Sequence, residues 1–359
     1  MIVVGADIHK RSHTVAAVDA GGRKLGDKTV EATSVGHAAA LRWVRTEFGN
    51  EVLWGVEDCR ALSARLEHDL LDAGQRVVRV PPNLTARHRA SGRRRGKSDP
   101  IDALAVARAV LREPDLPVAC HDEVSREMKL LTDRRDDLIG LRTATINRLL
   151  GRVHELDPAR DPKPLGLRYQ KYRAALGDWL ATQPGLIAEL ARDELADVNR
   201  LTEAITALGK RIQTRVRVVA PALLAVPGCG ELMAAKIVGE TAAITRFKSE
   251  AAFASLCGVA PIPWWSGTTA GRVYMTRSGN RQLNMALHRI AVTQLRLDGP
   301  GRRYYRRRLE AGDSPANARR CLKRRLARVV YQRLKTDHAN RQSALQQRRD
   351  VEGPVPCQA

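Results

Sequence analysis

Four carboxylates and one serine stand where their chemistry would be useful. Asp7 lies near the end of the apolar run at 2–8, Glu57 closes the run at 52–57, and Asp99 and Asp102 sit in Ser-Asp-Pro-Ile-Asp. Carboxylates gathered at strand ends can bind Mg²⁺, a hard cation that takes oxygen ligands, and two such ions clamp the attacking and leaving oxygens of a phosphodiester. For Asp99 and Asp102 helix capping is an equally good explanation: Asp99 suits an N-cap, Pro100 a first helical residue and Asp102 the first turn. Asp7 is harder to explain that way, because an unpartnered carboxylate on an apolar strand costs several kcal/mol on burial.

Ser266 belongs to the stretch CGVAPIPWWSGTTAGRVYMTRSGNRQLNMA at 257–286. Pro261 and Pro263 stiffen the approach, and Gly267 permits close contact beside the hydroxyl. Arg272, Arg277 and Arg281 follow, forked donors suited to phosphate oxygens. A Gly/Pro surface loop with ordinary arginines is the competing explanation.

The elements that must position these groups alternate at first. Strands are expected at 2–8, 14–19, 24–32, 52–57 and 76–80, with helices at 36–48 and 62–73. Three strands followed by αβαβ is the order of an RNase H-like sheet. The basic run at 87–97, with Arg93, Arg94, Arg95 and Lys97, lies just before the second acidic pair. It reads as a nucleic-acid loop or as a solvated surface.

Beyond it the pattern turns to long helices. Met128, Leu131, Leu138, Leu141, Leu149, Val153 and Leu156 form one stripe; Val198, Leu201, Ile205, Leu208, Ile212, Val216 and Val219 form a second. Their length predicts a coiled coil, within the chain or between subunits, and with it a homo-oligomer, dimer or tetramer. Between them Tyr169, Tyr172 and Trp179 are expected to pack a helix. At 223–240 a Gly228-Cys229-Gly230 turn joins two helical patterns, as in a helix-hairpin-helix, whose main-chain N–H groups, with Lys236 nearby, would hold one DNA phosphate. The expected fold is therefore α/β plus α, divided at 1–120, 121–220 and 221–340, with 341–359 a disordered tail.

Sixty-one Lys and Arg against thirty-nine Asp and Glu give a net charge of +22, a field that draws polyanions. Nucleic acid is the expected partner. No uninterrupted apolar run approaches the ~20 residues that span a bilayer, and there is no signal-peptide pattern, so the expected location is the cytoplasm, acting at DNA or RNA. The six cysteines form no CxxC pair, so neither a zinc site nor a disulfide framework is indicated.

Taken together, GADIHKRSHTVAAVD, WGVEDCR, GKSDPIDALAVAR, VPGCGELMAAKIVGE, FASLCGVAP and WSGTTAGRVYMTRSGNRQLN resemble, in order, the motifs of the DEDD transposases of bacterial insertion sequences. That family includes bridge-RNA-guided recombinases. The resemblance implies a RuvC-like N-terminal domain whose four acids are Asp7, Glu57, Asp99 and Asp102, and a C-terminal transposase domain whose nucleophile is Ser266. Ser278 is the alternative serine, although its Thr-Arg-Ser-Gly-Asn setting better matches the family's basic Gly-Asn segment. It further implies Mg²⁺-dependent DNA strand exchange through a phosphoserine, by an oligomer guided by a structured RNA. A hydrolytic RuvC-like nuclease or junction resolvase, and a non-catalytic nucleic-acid scaffold, are the rival expectations.

Overall fold

A computed structural model describes residues 1–57, 62–82, 84–86, 98–113, 116, 118–120, 122–263, 267–269, 273–275 and 279–352. The chain divides into two compact units, Met1–Asp122 with Thr245–Phe247, and Glu123–Ile244 with Lys248–Ala359.

The first unit is built on a five-stranded sheet of β1 (Ile2–Ile8), β2 (Ser12–Val18), β3 (Lys24–Glu31), β4 (Val52–Glu57) and β5 (Arg76–Val80), ordered β3-β2-β1-β4-β5. β1 pairs antiparallel with β2 and parallel with β4; β2–β3 is antiparallel and β4–β5 parallel. Alternation sorts β1 between two cores. Val4, Ala6 and Ile8 join the layer formed with α1 (Ser34–Phe48) and α2 (Ala64–Asp72), including Leu41, Val44, Leu66 and Leu70. Val3 faces the other way, against Val106, Ala107 and Val110 of α3 (Asp99–Arg112). Because both faces are covered, the central strands are nearly continuous apolar runs. This is the RNase H-like strand order expected, with element ends within a residue or two of those read from the pattern.

The second unit is helical. α4 (Glu123–Leu156) and α6 (Leu186–Val219) run antiparallel, since Arg215 pairs with Glu127 near one end while Arg148 and Arg152 reach Glu194 near the other. Leu138 meets Leu201 and Ile205 between those ion pairs, and Ile146, Leu149 and Val153 pack with Leu195 and Val198. The two stripes are thus buried against each other within one chain. Leu141 departs from its expected place, 54% exposed, because the buried turn uses Thr145 and Ile146 instead.

Between the long helices lies α5 (Gln170–Ala181). Tyr169 and Tyr172, expected to pack, are exposed and stack edge-on against each other, while Trp179 is half-buried with the Arg160 guanidinium 4.5 Å above its ring. α7 (Pro221–Leu224), α8 (Glu231–Thr241), α9 (Glu250–Leu256), α10 (Arg281–Arg296), α11 (Pro300–Glu310) and α12 (Pro315–Glu352) complete the unit. α8 crosses α4 at Gly239, where an added Cβ would lie 2.7 Å from the Lys129 backbone nitrogen. The long helices and the C-terminal helices therefore share one compact unit.

The tail expected to be disordered from 341 is helical through Glu352, continuing α12 through a stretch of Ala, Leu, Gln and Arg, which are good helix formers. α12 is also tied down earlier: the Asp337 carboxylate accepts from the Ala222 and Leu223 backbone N–H groups at 2.8 and 3.0 Å, capping α7 from a distance. No helix among the described residues is long and apolar enough to cross a membrane.

Candidate metal centre and serine hairpin

The carboxylates come together because two glycines let a helix press on the sheet. Gly5 of β1 and Gly55 of β4 are register partners in the parallel pair. A Cβ on Gly5 would stand 2.3 Å from the Ala103 carbonyl oxygen and the Ala107 nitrogen, and one on Gly55 would stand 2.4 Å from Val110 Cγ2. α3 lies in that gap. Two residues past Gly5 on the same face is Asp7, and two past Gly55 is Glu57, so both acids emerge at the carboxyl ends of adjacent strands.

The N-terminus of α3 brings the remaining pair. Its cap is Ser98 rather than Asp99: Ser98 is extended, and its carbonyl accepts from Ile101 and Asp102 at 2.9 and 3.0 Å. Asp99 is the first helical residue and half-exposed, whereas Asp102, in the first turn, is buried. Capping by Asp99 is therefore not what holds this helix end. Helix-dipole stabilisation of both acids still applies.

Asp7 carries the electrostatic signature of the site. It is 5% exposed, and its Oδ2 has no hydrogen-bond partner. Burial, opposed by the nearby His9 and reinforced by the charges of Asp102, Glu57 and Asp99, raises its pKa to about 6. The other three acids thus all act on Asp7. A buried carboxylate oxygen without a donor is costly, and a divalent cation is the partner that would satisfy it while neutralising its neighbours. On that observation Asp7, Glu57, Asp99 and Asp102 fit a divalent metal.

His9 is the participant that the sequence reading passed over. Its Nδ1 lies 3.4 Å from Asp7 Oδ2 and its Nε2 3.8 Å from Asp99 Oδ1. Among the described residues, Asp7, His9 and Asp99 are the group whose ligand atoms all fall within 4.8 Å of one another. The available signal was its place two residues beyond Asp7, on the exposed turn into β2.

In the second unit, β6 (Pro261–Pro263) and β7 (Val273–Met275) pair antiparallel, Pro263 opposite Val273. Ser266 and Arg272, between β6 and β7 in sequence, and Arg277 and Ser278, after β7 in sequence, lie outside the described residues, as do Arg93, Arg94, Arg95 and Lys97. The base of the hairpin is tightly organised. Asn284 Nδ2 donates to the Cys257 and Gly258 carbonyls at 3.0 Å each, and the Asn280 N–H donates to Leu256 O at 2.6 Å. Asn280 Oδ1 also caps α10, accepting from Gln282 and Leu283. Glu240 completes the clamp, accepting from Asn280 Nδ2 at 2.6 Å and from Lys129 Nζ at 2.9 Å. Gly279 has φ +98, and a Cβ there would lie 2.7 Å from Gly258 N, so the Ser-Gly-Asn segment needs glycine on two counts.

The remaining expected contact residues divide. Arg281 opens α10 and is exposed. Gly228 turns with φ +82 against Thr293, and Gly230 caps α8. Lys236 differs from expectation: it is 5% exposed, with Nζ bonded to Asp136 and to Gln282 Oε1, so it ties α8 to α4 and α10 and does not present its charge to a phosphate. On α8 it falls among Ala234, Ala235, Ile237 and Val238, all buried, which is why it points inward.

Comparison with known proteins gives family matches in both halves of the sequence. Residues 4–158 match the family model of the IS110 DEDD transposases, and residues 220–306 match that of the IS116/IS110/IS902 transposases. A 44.8 kDa protein of insertion element IS116 from Streptomyces clavuligerus is 28% identical, covering 93% of this chain and 94% of that one. A 42 kDa protein of IS900 from Mycobacterium paratuberculosis is 26% identical over 93% and 96%. Among solved structures, Thermus thermophilus RuvC is similar at 18% identity over 30% of this chain and 92% of its own, with a TM-score of 0.26. The same protein bound to a Holliday junction gives 17%, 31%, 95% and 0.25.

An RNase H-like sheet followed by a mostly helical remainder, with transposase family matches over residues 4–158 and 220–306, defines an insertion-sequence transposase. The chain belongs to the DEDD transposases of the IS110 type.

Proposed function

We propose that the chain cuts and rejoins DNA at the ends of an insertion element, with Ser266 as nucleophile and the acids Asp7, Glu57, Asp99 and Asp102 as the holders of Mg²⁺. The observation that carries this reading is the buried Asp7 oxygen, without a hydrogen bond, among three neighbouring carboxylates. When bound, the metal would polarise the scissile phosphate and lower the barrier to ionising a serine, a poor nucleophile unaided.

The chain's own residues do the rest. Ser266 Oγ bonds to phosphorus as the bond from phosphorus to a DNA oxygen breaks, and the serine proton ends on the departing DNA hydroxyl. A hydroxyl of another strand then attacks the phosphoserine, restoring Ser266 and leaving the number of phosphodiesters unchanged. No ATP is consumed. Arg272 and Arg281 are suited to stabilising the charge on the pentacoordinate phosphorus. Glu240 braces Asn280, and Asn284 braces Cys257 and Gly258, residues that flank the β6–β7 pair in sequence.

The reading includes three further partners. Arg93, Arg94, Arg95, Lys97 and Arg277 bind the phosphate backbone beside the two catalytic halves, and the turn at Gly228 and Gly230 offers main-chain N–H groups to a phosphate. A structured guide RNA selects the DNA, and a homo-oligomer at the bacterial nucleoid combines half-sites from different subunits. The long-helix stripes are buried within one chain, so self-association rests on other surfaces.

A strand-exchange assay with donor DNA, guide RNA and Mg²⁺ tests the proposal. Asp7→Asn and Ser266→Ala are expected to lose exchange while retaining nucleic-acid binding, because neither removes a phosphate-contacting cation. Exchange at the wild-type rate by Ser266→Ala would replace this reading with that of a water-using nuclease.

A further inference from the structure

We propose that His9 is a ligand of the acidic centre, making it a mixed nitrogen and oxygen site that holds Mn²⁺ more tightly than Mg²⁺. This rests on the reading that the centre binds a divalent cation, and the test separates the two claims.

The backbone sets the ring in place. His9 begins the tight connection from β1 to β2, its N–H donating to Ser12 O at 3.1 Å, so its side chain leaves the same sheet end as Asp7. The imidazole lies between two carboxylates, Nδ1 at 3.4 Å from Asp7 Oδ2 and Nε2 at 3.8 Å from Asp99 Oδ1. The contact to Asp7 is at ion-pair distance but is no hydrogen bond: Oδ2 remains without one on a side chain only 7% exposed. An oxygen so enclosed and so placed points to a ligand between the three side chains.

The dimensions come close to those of a shared ion. Atoms bonded at about 2.1 Å to one octahedral ion lie about 3 Å apart when adjacent and about 4.2 Å apart when opposite. The three candidate atoms lie within 4.8 Å of one another. Asp7 is held by its strand, while the His9 and Asp99 side chains, about half exposed, are free to close the small difference. Ligand type then decides the preference. Mg²⁺ favours oxygen and water, whereas imidazole is a normal ligand of the transition divalents.

The experiment titrates the full-length wild type, His9→Ala, His9→Gln and Asp7→Asn with MnCl₂, reading free Mn²⁺ by its electron paramagnetic resonance signal, then competes with MgCl₂. The wild type is expected to bind Mn²⁺ at least about tenfold more tightly than Mg²⁺. Both His9 variants should lose about tenfold or more in Mn²⁺ affinity, as for other disturbed metal shells, with Mg²⁺ affinity nearly unchanged. Asp7→Asn should lose both ions. If the His9 variants bind Mn²⁺ as the wild type does while Asp7→Asn does not, His9 is no ligand and the proposal is overturned with the metal centre intact. If Asp7→Asn also binds normally, the centre itself is refuted.

Discussion

Gly5 and Gly55 lie side by side in the parallel pair β1–β4, and together they let α3 approach the sheet closely enough to bring Asp99 and Asp102 to Asp7. The acids are separated by long stretches of sequence, yet their meeting depends on two missing Cβ atoms.

Gly5→Ala should therefore damage the centre without touching an acid. Its Cβ would meet the Ala103 and Ala107 backbone at 2.3 Å, where no side chain can move aside. Overpacking of this kind costs about 1–3 kcal/mol. Urea denaturation should show that loss, and Mn²⁺ affinity should fall with it; unchanged stability would mean that α3 is not held at this distance.

Two buried groups of the first unit titrate in opposite senses. Asp7, raised from 3.8 to about 6, penalises the metal-free folded state above pH 6, and the penalty is relieved as pH falls towards 3.8. His13, lowered from 6.5 to about 4 by burial and by its neighbour His37, costs stability as pH falls from 6.5 to 4, because only the unfolded chain takes up the proton. Each shift corresponds to about 3 kcal/mol at most, so in the wild type they largely offset. In metal-free Asp7→Asn only the histidine effect remains. Thermal melts should then show this variant more stable than wild type at pH 7.5 and losing that advantage by pH 4; parallel profiles for the two proteins would contradict the assignment.

Much of the first unit was legible because its strands are short apolar runs bounded by Gly, Pro and acids, and β4 and β5 occupy the expected residues. The positions of Asp7 and Glu57 follow for the same reason, since strand ends can be read from the pattern, whereas Asp99 and Asp102 lie in the first turn of α3, at the helix start that Ser-Asp-Pro-Ile-Asp marks. Three things were not. His9 drew no reading, because only the fold shows that the connection to β2 returns beside Asp99. Lys236 looked like a surface cation because lysine rarely faces inward, and its partners Asp136 and Gln282 are distant in sequence. The heptad stripes showed a long-helix seam but not its partner, which is set by the antiparallel return of α6.

Lys236→Ala should act on stability and not on DNA affinity. Removing Nζ leaves Asp136 and Gln282 without their shared donor and opens a gap in the α8 packing, a loss of about 1–3 kcal/mol. Filter binding across a salt series should give the wild-type slope. A slope lower by about one would show that Lys236 contacts a phosphate after all.

Asn280→Ala removes the α10 cap and its bond to Glu240 together. Cap loss alone costs about 1 kcal/mol. The larger effect is expected on strand exchange, through the loosened hairpin base, with nucleic-acid affinity within about twofold of wild type. Equal exchange rates would show that the clamp serves stability only.

The most direct measurement incubates end-labelled donor DNA with full-length protein, guide RNA and Mg²⁺, and resolves the products on a denaturing gel. The wild type should give a covalent protein–DNA adduct whose peptide maps the phosphate to Ser266, and Ser266→Ala should give none. An adduct that persists in Ser266→Ala, or cleaved DNA with a free phosphate and no adduct in the wild type, would contradict a serine nucleophile served by the acidic centre.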